Sequence, residues 1–149
     1  MSLYQIVEVD GPTFADTLRQ FNSMHDEFPA LEERHLEDGY WWLVFCGAEA
    51  VAFAGLVQFY PCKSVGYLKR CFVLPDHRGH SLQQRLLLIR EGKARELGWK
   101  QLVSECSVSN THSANNFRRA GYQICEPEQP WAKDSVFFRS EERRVGKEC

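Results

Sequence analysis

Apolar and polar residues alternate along Tyr4–Val9, the period-two pattern of a strand with one buried face. Gly11-Pro12-Thr13 opens a helix running to about Met24, with Phe14, Leu18 and Phe21 at helical spacing. A second short helix is predicted over Pro29–Leu36. Gly39–Cys46 and Glu49–Tyr60 are apolar runs of strand length joined by a tight turn at Gly47-Ala48, and Ser64–Leu74 is a further strand, so the three form an antiparallel meander. The period then changes. After a polar stretch at Pro75–Ser81, a helix from Ser81 or Leu82 to about Leu97 carries Leu82, Leu86, Ile89, Ala94 and Leu97 as its buried stripe, and Gly98 stops it.

Lys100–Val108 reads as a strand, Asn110–Ala120 as a helix ended by Gly121, and Tyr122–Cys125 and Val136–Arg139 as the last two strands. The order is β-α-α-β-β-β-α-β-α-β-β. Three consecutive strands followed by strand-helix crossovers imply an α/β (α+β) class: one mixed, mostly antiparallel sheet flanked by helices. Residues 1–139 form one domain in this reading. Residues 140–149, Ser-Glu-Glu-Arg-Arg-Val-Gly-Lys-Glu-Cys, carry balanced charge and a single apolar residue besides cysteine, so they cannot supply a core stripe. They are expected to be a disordered tail, and their sequence looks like vector- or adaptor-derived read-through of non-native origin.

Composition narrows the class. A chain of 149 residues has room for one core and not for two catalytic domains. With 44% hydrophobic residues, ten Phe and four Trp, it is expected to fold. No apolar run approaches the roughly 20 residues of a membrane helix, and Met-Ser-Leu-Tyr-Gln is unlike a secretory leader, which points to a cytoplasmic protein without a membrane partner. A net charge of −2 argues against nucleic acid, since phosphates need an excess of cations. Cys46, Cys62, Cys71, Cys106, Cys125 and Cys149 include no Cys-x2-Cys pair, and Cys46, Cys71 and Cys106 belong to or follow strand-like runs, where thiols act as small hydrophobes. The reading is a reducing compartment. Asp76, His77 and His80 lack the spacing of a closed metal site, so no metal is expected.

The segment from Cys71 to Leu87 holds the chemistry. A strand ends, a turn rich in Arg and Gly follows, and a long helix begins. A helix start carries unpaired N–H groups and about half a positive charge, which suits phosphate. Gly79 permits close backbone approach, Ser81 adds a hydroxyl, and Arg78 adds a forked donor that fits phosphate oxygens. The plainer alternative is an ordinary strand-helix turn with Ser81 as N-cap.

This stretch resembles motif A of the GNAT superfamily of acetyltransferases, Arg/Gln-x-x-Gly-x-Gly/Ala after a Val-x-Pro strand end. Val73-Leu74-Pro75 matches the strand end and Arg78 the first motif position, while Ser81 and Gln83 replace the usual small residues. Asn110, Ser113, Phe117 and Gly121-Tyr122 are similar to motif B in residue type and spacing. The resemblance spans residues 4–139 in element order and implies a GNAT-like domain with acetyl-CoA as co-substrate. It assigns the backbone of Arg78, Gly79, His80, Ser81, Leu82 and Gln83 to the CoA pyrophosphate. Phe72, Val73 and Leu74 would pair with the pantetheine arm, beside a bulge that splays their strand from Lys100–Val108. Asn110 and Ser113 would hold the arm, and Phe117 would pack near the thioester. The alternative for Asn110 is an N-cap, and for Phe117 a core ring.

Amide formation needs an uncharged amine, a polarised thioester carbonyl and a proton for the leaving thiolate. A backbone N–H near Val73 is the candidate for the carbonyl. The phenol many family members carry in motif B is Phe117 here, and the carboxylate four residues before Val73 is Lys69. Glu105 is then the candidate base, acting through water, with Tyr67 and His112 as further candidates. The alternative for Glu105 is a solvated or salt-bridged carboxylate. Cys71 and Cys106 are expected to be inert. Asp26, Glu27, Glu32, Glu33, Glu37 and Asp38 could form an acidic rim for a cationic amine acceptor, such as a polyamine, an aminosugar or a lysine side chain, or simply a solvated face. Trp41, Trp42, Phe59, Tyr60 and Trp131 could wall the acceptor pocket or belong to the core. The competing readings are an N-acetyltransferase and a catalytically weak CoA-binding sensor or interaction module. The oligomeric state is open between a monomer and a homodimer.

Overall fold

The computed structural model describes residues 3–128 and 130–140. Seven strands form one mixed sheet in the order β1-β2-β3-β4-β5-β7-β6, and four helices accompany it. β1 (Tyr4–Val9), β2 (Tyr40–Cys46) and β3 (Glu49–Gln58) pair antiparallel in sequence order, with a register shift in β2 at Val44/Phe45. β4 (Val65–Val73) meets β5 (Gln101–Ser107) in a parallel ladder covering only Val65–Tyr67. β7 (Ser135–Arg139) inserts antiparallel between β5 and β6 (Gln123–Cys125). The sequence implied a mixed sheet, but nothing in it gave this last insertion, because strand order depends on which edge the final hairpin finds.

Local chemistry moves some element ends. The first helix, α1 (Ala15–Ser23), starts later than Pro12 implies because the Asp10 carboxylate accepts from the Thr13 hydroxyl at 2.6 Å and the Thr13 N–H at 3.1 Å, closing a turn ahead of it. The second, α2 (Glu33–Asp38), does not begin at Pro29, whose carbonyl instead accepts from Asn22 Nδ2 at 2.8 Å and Arg70 Nη2 at 3.1 Å. α3 (Leu82–Glu96) and α4 (Thr111–Arg119) lie within their expected ranges.

The chain divides into two compact units, Met1–Val57 with Leu68–Arg90, and Gln58–Tyr67 with Glu91–Cys149. In the first, Leu18, Phe21, Leu31, Leu36, Trp41, Leu43 and Phe53 form a core. Phe53 stacks on Phe21 at 5.6 Å and on Trp41 at 6.4 Å between centroids. Gly55 lies against this core, and a side chain there would meet the Trp41 ring and the Lys69 carbonyl at 2.8 Å. Trp41 and Trp42 are buried, so they are core rings and not pocket walls. In the second unit Phe138 is fully buried and Tyr122 nearly so, the Tyr122 hydroxyl donating to Glu91 at 2.9 Å. Ser140 belongs to this unit. Its N–H donates to the Leu102 carbonyl, and its hydroxyl oxygen and carbonyl accept from the Leu102 N–H and the Gln101 side chain. Residues 141–149, the remainder of the expected tail, lie outside the described residues.

Candidate functional site: the strand-turn-helix and the Glu105 cluster

In the first unit β4 runs out at Val73, and Pro75–His77 make a single 3-10 turn. The Leu74 N–H donates to Val51 of β3 at 2.9 Å. Because successive residues of a strand present their backbone groups to opposite edges, the N–H and C=O of Val73 point away from β3. Arg78 returns to that edge: its Nε donates to the Val73 carbonyl at 3.0 Å, and its guanidinium lies 5.5 Å from the centre of the Phe72 ring. Gly79 has φ +86° with open space around it, and Ser81 has φ +60°. Two left-handed residues so close together make this a tight turn directly before the first turn of the following helix, whose unpaired N–H groups suit an anion. Arg78, Gly79, His80 and Ser81 are all exposed, and the Ser81 carbonyl accepts from Arg85 in the first turn of α3, whose Leu82 is buried and Gln83 half-buried. Ser81 thus enters the helix through its backbone, in the position expected of a cap.

Tyr4 of β1 reaches the same turn. Its hydroxyl lies 3.1 Å from Nδ1 of His77, and its ring meets the His80 ring at 5.2 Å between centroids. Nε2 of His77 lies 3.6 Å from the Glu49 carboxylate. Among the described residues no group of three or more His, Cys, Asp or Glu side chains could hold a metal ion.

In β4, for which the resemblance implied a bulge, Arg70 leaves the extended region, a non-glycine residue with φ +61°. Its carbonyl is held by Arg90 of α3. Arg90, only 4% exposed, donates from Nη1 to the carbonyls of Gly55 and Arg70, both at 3.1 Å, and from Nε to Leu86 at 3.2 Å. The Arg70 side chain is fixed as well, with Nε on Asn22 Oδ1 at 2.9 Å and the guanidinium over the Phe28 ring at 4.9 Å. The expected stripe of α3 is corrected here. Ile89 is exposed, and Arg90 takes the buried position. The signal was legible, since Leu82, Leu86, Arg90 and Ala94 stand four apart and a cation in that row must find carbonyl partners.

The acidic segment is a charged surface. All six carboxylates are exposed; Glu32 pairs with Arg34 at 2.9 Å and Glu33 with Arg19 at 3.7 Å. Lys69, at the position where the resemblance led one to look for a carboxylate, is buried.

In the second unit Glu105 of β5 is half-buried, and each of its carboxylate oxygens accepts a hydrogen bond. The Tyr67 hydroxyl donates to Oε1, and Trp131 Nε1 donates to Oε2 at 2.7 Å. Neither a solvated carboxylate nor a salt bridge describes it. Tyr67 is the last β4 residue of the parallel ladder and faces Val103, so Tyr67, Val103 and Glu105 share one face. Trp131 stands edge-on to Phe59 at 5.0 Å and to Phe137 at 4.6 Å, which completes an aromatic surround. Sequence reasoning named Tyr67, Glu105, Phe59 and Trp131 separately. Nothing in the spacing of Trp131, 26 residues beyond Glu105, announced their meeting. Tyr60, by contrast, is exposed.

Asn110 caps α4, its Oδ1 accepting from the Ser113 N–H at 3.1 Å. Phe117 stacks on Phe138 at 5.0 Å and tilts against Tyr122 at 5.5 Å. His112 is exposed on the same helix, its Nε2 3.5 Å from Asn116 Nδ2. Burial pushes the Cys71 thiol up, and burial followed by the nearby Glu105 charge does the same to Cys106, so both are poor nucleophiles, as expected.

A family model described as the acetyltransferase (GNAT) family matches residues 3–122. No curated protein matches the sequence. Among solved structures, the ribosomal-protein-S18-alanine N-acetyltransferase of Escherichia coli superposes with a TM-score of 0.76 at 16% identity, covering 98% of both chains. A Salmonella typhimurium protein solved with its cofactor acetyl-CoA gives 0.74 at 16% identity over 99% of this chain and 100% of that one. The PaiA N-acetyltransferase of Thermoplasma acidophilum in complex with coenzyme A gives 0.73 at 12% identity over 95% and 99%. At these identities the likeness is one of fold.

Proposed function

The chain belongs to the acetyltransferase (GNAT) family, and from that membership we propose that it transfers an acetyl group from acetyl-CoA to an amine of a small molecule or peptide. The observation that carries this reading is the exposed turn Arg78–Ser81, with its two left-handed residues opening into α3. In this reading the N–H groups from Arg78 to Gln83 hold the pyrophosphate, as a helix start is suited to do. The edge of Phe72–Leu74 turned away from β3 takes the pantetheine arm as an added strand would. Since Leu74 N–H is committed to Val51, the Val73 N–H is the donor that polarises the thioester carbonyl. Asn110, Ser113 and Phe117 are proposed for the arm and the thioester surroundings. Glu105 is the proposed base, taking the amine proton through water. The amine is cationic before it reacts, and the carboxylate with its aromatic surround suits an ammonium.

The test begins with the donor. Acetyl-CoA at about 100 times its Kd is expected to stabilise the fold by about 2.7 kcal/mol. Arg78→Glu or Gly79→Glu should remove most of that, because each sets a carboxylate against the pyrophosphate. A melting temperature that does not move in saturating CoA overturns the reading. A second reading, a CoA-binding sensor, is favoured by Phe117, a stacked ring with no proton to give. Thiol release from acetyl-CoA in the presence of amines separates the two.

A further inference from the structure

The turn assigned above to the pyrophosphate is exposed from Arg78 to Ser81, and Gly79 and the non-glycine Ser81 both take left-handed backbone there. Backbone N–H groups grip an anion well only when they are ordered before it arrives. One ring supports this turn from within the first unit. Tyr4 of β1 is buried, and it meets the His77 ring edge-on at 5.8 Å and the His80 ring at 5.2 Å between centroids. Those two histidines flank Arg78-Gly79. We propose that Tyr4 and His77 are positioning residues for the donor, which hold the turn in its anion-binding shape before acetyl-CoA binds. The inference rests on the acetyltransferase reading above, which puts the pyrophosphate at this turn.

His77 is fixed at both ring nitrogens. Nδ1 lies 3.1 Å from the Tyr4 hydroxyl, and Nε2 lies 3.6 Å from the carboxylate of Glu49, the first residue of β3. The carboxylate favours the ring proton on Nε2, which leaves Nδ1 to accept from the Tyr4 O–H. A protonated ring keeps both contacts, with the Tyr4 oxygen as acceptor. The backbone at this point is committed too: the His77 N–H donates to the Leu74 carbonyl at 2.9 Å and the Arg78 N–H to the Pro75 carbonyl at 3.3 Å. The imidazole therefore ties the end of the 3-10 turn to β1 and β3, two strands that do not carry it. Arg78 is held by the Val73 carbonyl and the Phe72 ring, and His80 by the Tyr4 ring. Of positions 77 to 80 only Gly79 has no side chain, and its neighbours on both sides are anchored.

The energetic consequence is selective. Ordering the backbone of one residue lowers an equilibrium constant about tenfold. Where Tyr4 and His77 make that order part of folding, the donor does not meet the cost on binding. The advantage reaches only the part of the donor that the turn grips, so a donor without a pyrophosphate gains nothing from it. Tyr4 stands 73 positions before His77, which is why the motif at the turn does not reveal its support.

The experiment measures, by calorimetry, the Kd of acetyl-CoA and of S-acetylpantetheine, which keeps the arm and the thioester and lacks the pyrophosphate. NMR relaxation gives the backbone order parameters of residues 78–81 in the free protein. Tyr4→Phe keeps the ring and removes the hydroxyl, and His77→Ala removes both anchored nitrogens. The Kd for acetyl-CoA is expected to rise about tenfold in His77→Ala and about fivefold in Tyr4→Phe, with that for S-acetylpantetheine unchanged. Tyr4→Phe should cost nothing further on the His77→Ala background, where the hydroxyl has already lost its partner. The order parameters should fall from about 0.85 toward about 0.6 in the turn and stay high through the body of α3. Wild-type affinity for acetyl-CoA in His77→Ala, equal losses for both donors, or a turn already mobile in the wild type overturns the inference while the acetyltransferase reading stands. A wild type that does not bind acetyl-CoA overturns both. Should His77→Ala fail to fold, Tyr4→Phe carries the test, and should S-acetylpantetheine bind too weakly to register, affinity for acetyl-CoA and order in the turn must still fall together.

Discussion

At the scale of single residues, His35 shows how burial decides charge. It is 8% exposed, and desolvation pushes its pKa down to about 4, with Lys69, Arg34 and Arg70 acting in the same direction and Glu32, 3.5 Å from Nδ1, opposing them. A histidine in the unfolded chain titrates near 6.5. The unfolded chain therefore binds a proton as pH falls below about 6.5 while the folded chain does not until about 4. The contribution of His35 to stability is complete above that window, is lost through it, and is constant below. Urea unfolding at pH 7 and pH 4.5 should show a smaller loss for His35→Leu than for the wild type. An equal loss would assign the acid sensitivity to the carboxylates. Arg78 illustrates the opposite situation, an exposed cation whose orientation comes from one backbone carbonyl and one ring.

At the scale of elements, α3 holds β4 in shape. Arg90 gives two hydrogen bonds to the carbonyls of Gly55 and Arg70, each worth about 1.5 kcal/mol for a charged donor. Arg90→Met should lower the unfolding free energy by about 3 kcal/mol, read by denaturant titration. Arg90→Lys should fall between the two, since an ammonium cannot reproduce the forked geometry. A wild-type value for Arg90→Met would mean that position 70 keeps its left-handed backbone without the clasp. Most elements were legible because their periods were clean: Tyr4–Val9 was read to the residue, and the α3 range differed only at its ends. The misreadings have two causes. Thr13 and Pro29 lost their expected roles to a local turn at Asp10 and to the distant side chain of Arg70 respectively, and periodicity carries no information about such partners; Ile89 lost its place to the neighbouring Arg90, which the four-residue spacing did mark and whose charge hid it. The turn at Arg78–Ser81 was legible because its chemistry is local. The Glu105 cluster was legible only as separate residues, because its hydrogen bonds span 38 and 26 positions.

At the scale of the whole molecule, the matched family region ends at residue 122, yet the chain continues into β6 and β7, which complete the sheet order. Ser140 extends the pairing of β5 with β7 by its bonds to Gln101 and Leu102. Removing Glu141–Cys149 is expected to leave the melting temperature and the acetyl-CoA shift unchanged, because the sequence there offers no apolar stripe. A fall in cooperativity on truncation would show that these residues belong to the fold. The Arg90 clasp also has a consequence for how the chain acquires its shape in time. Its partners lie 35 and 20 positions away in sequence, so neither contact can form until α3 has docked. The left-handed backbone at position 70, which a non-glycine residue disfavours, is therefore held only by partners distant in sequence, Arg90 on its carbonyl and Asn22 and Phe28 on its side chain, and each of these contacts closes a loop before the strand can keep that conformation.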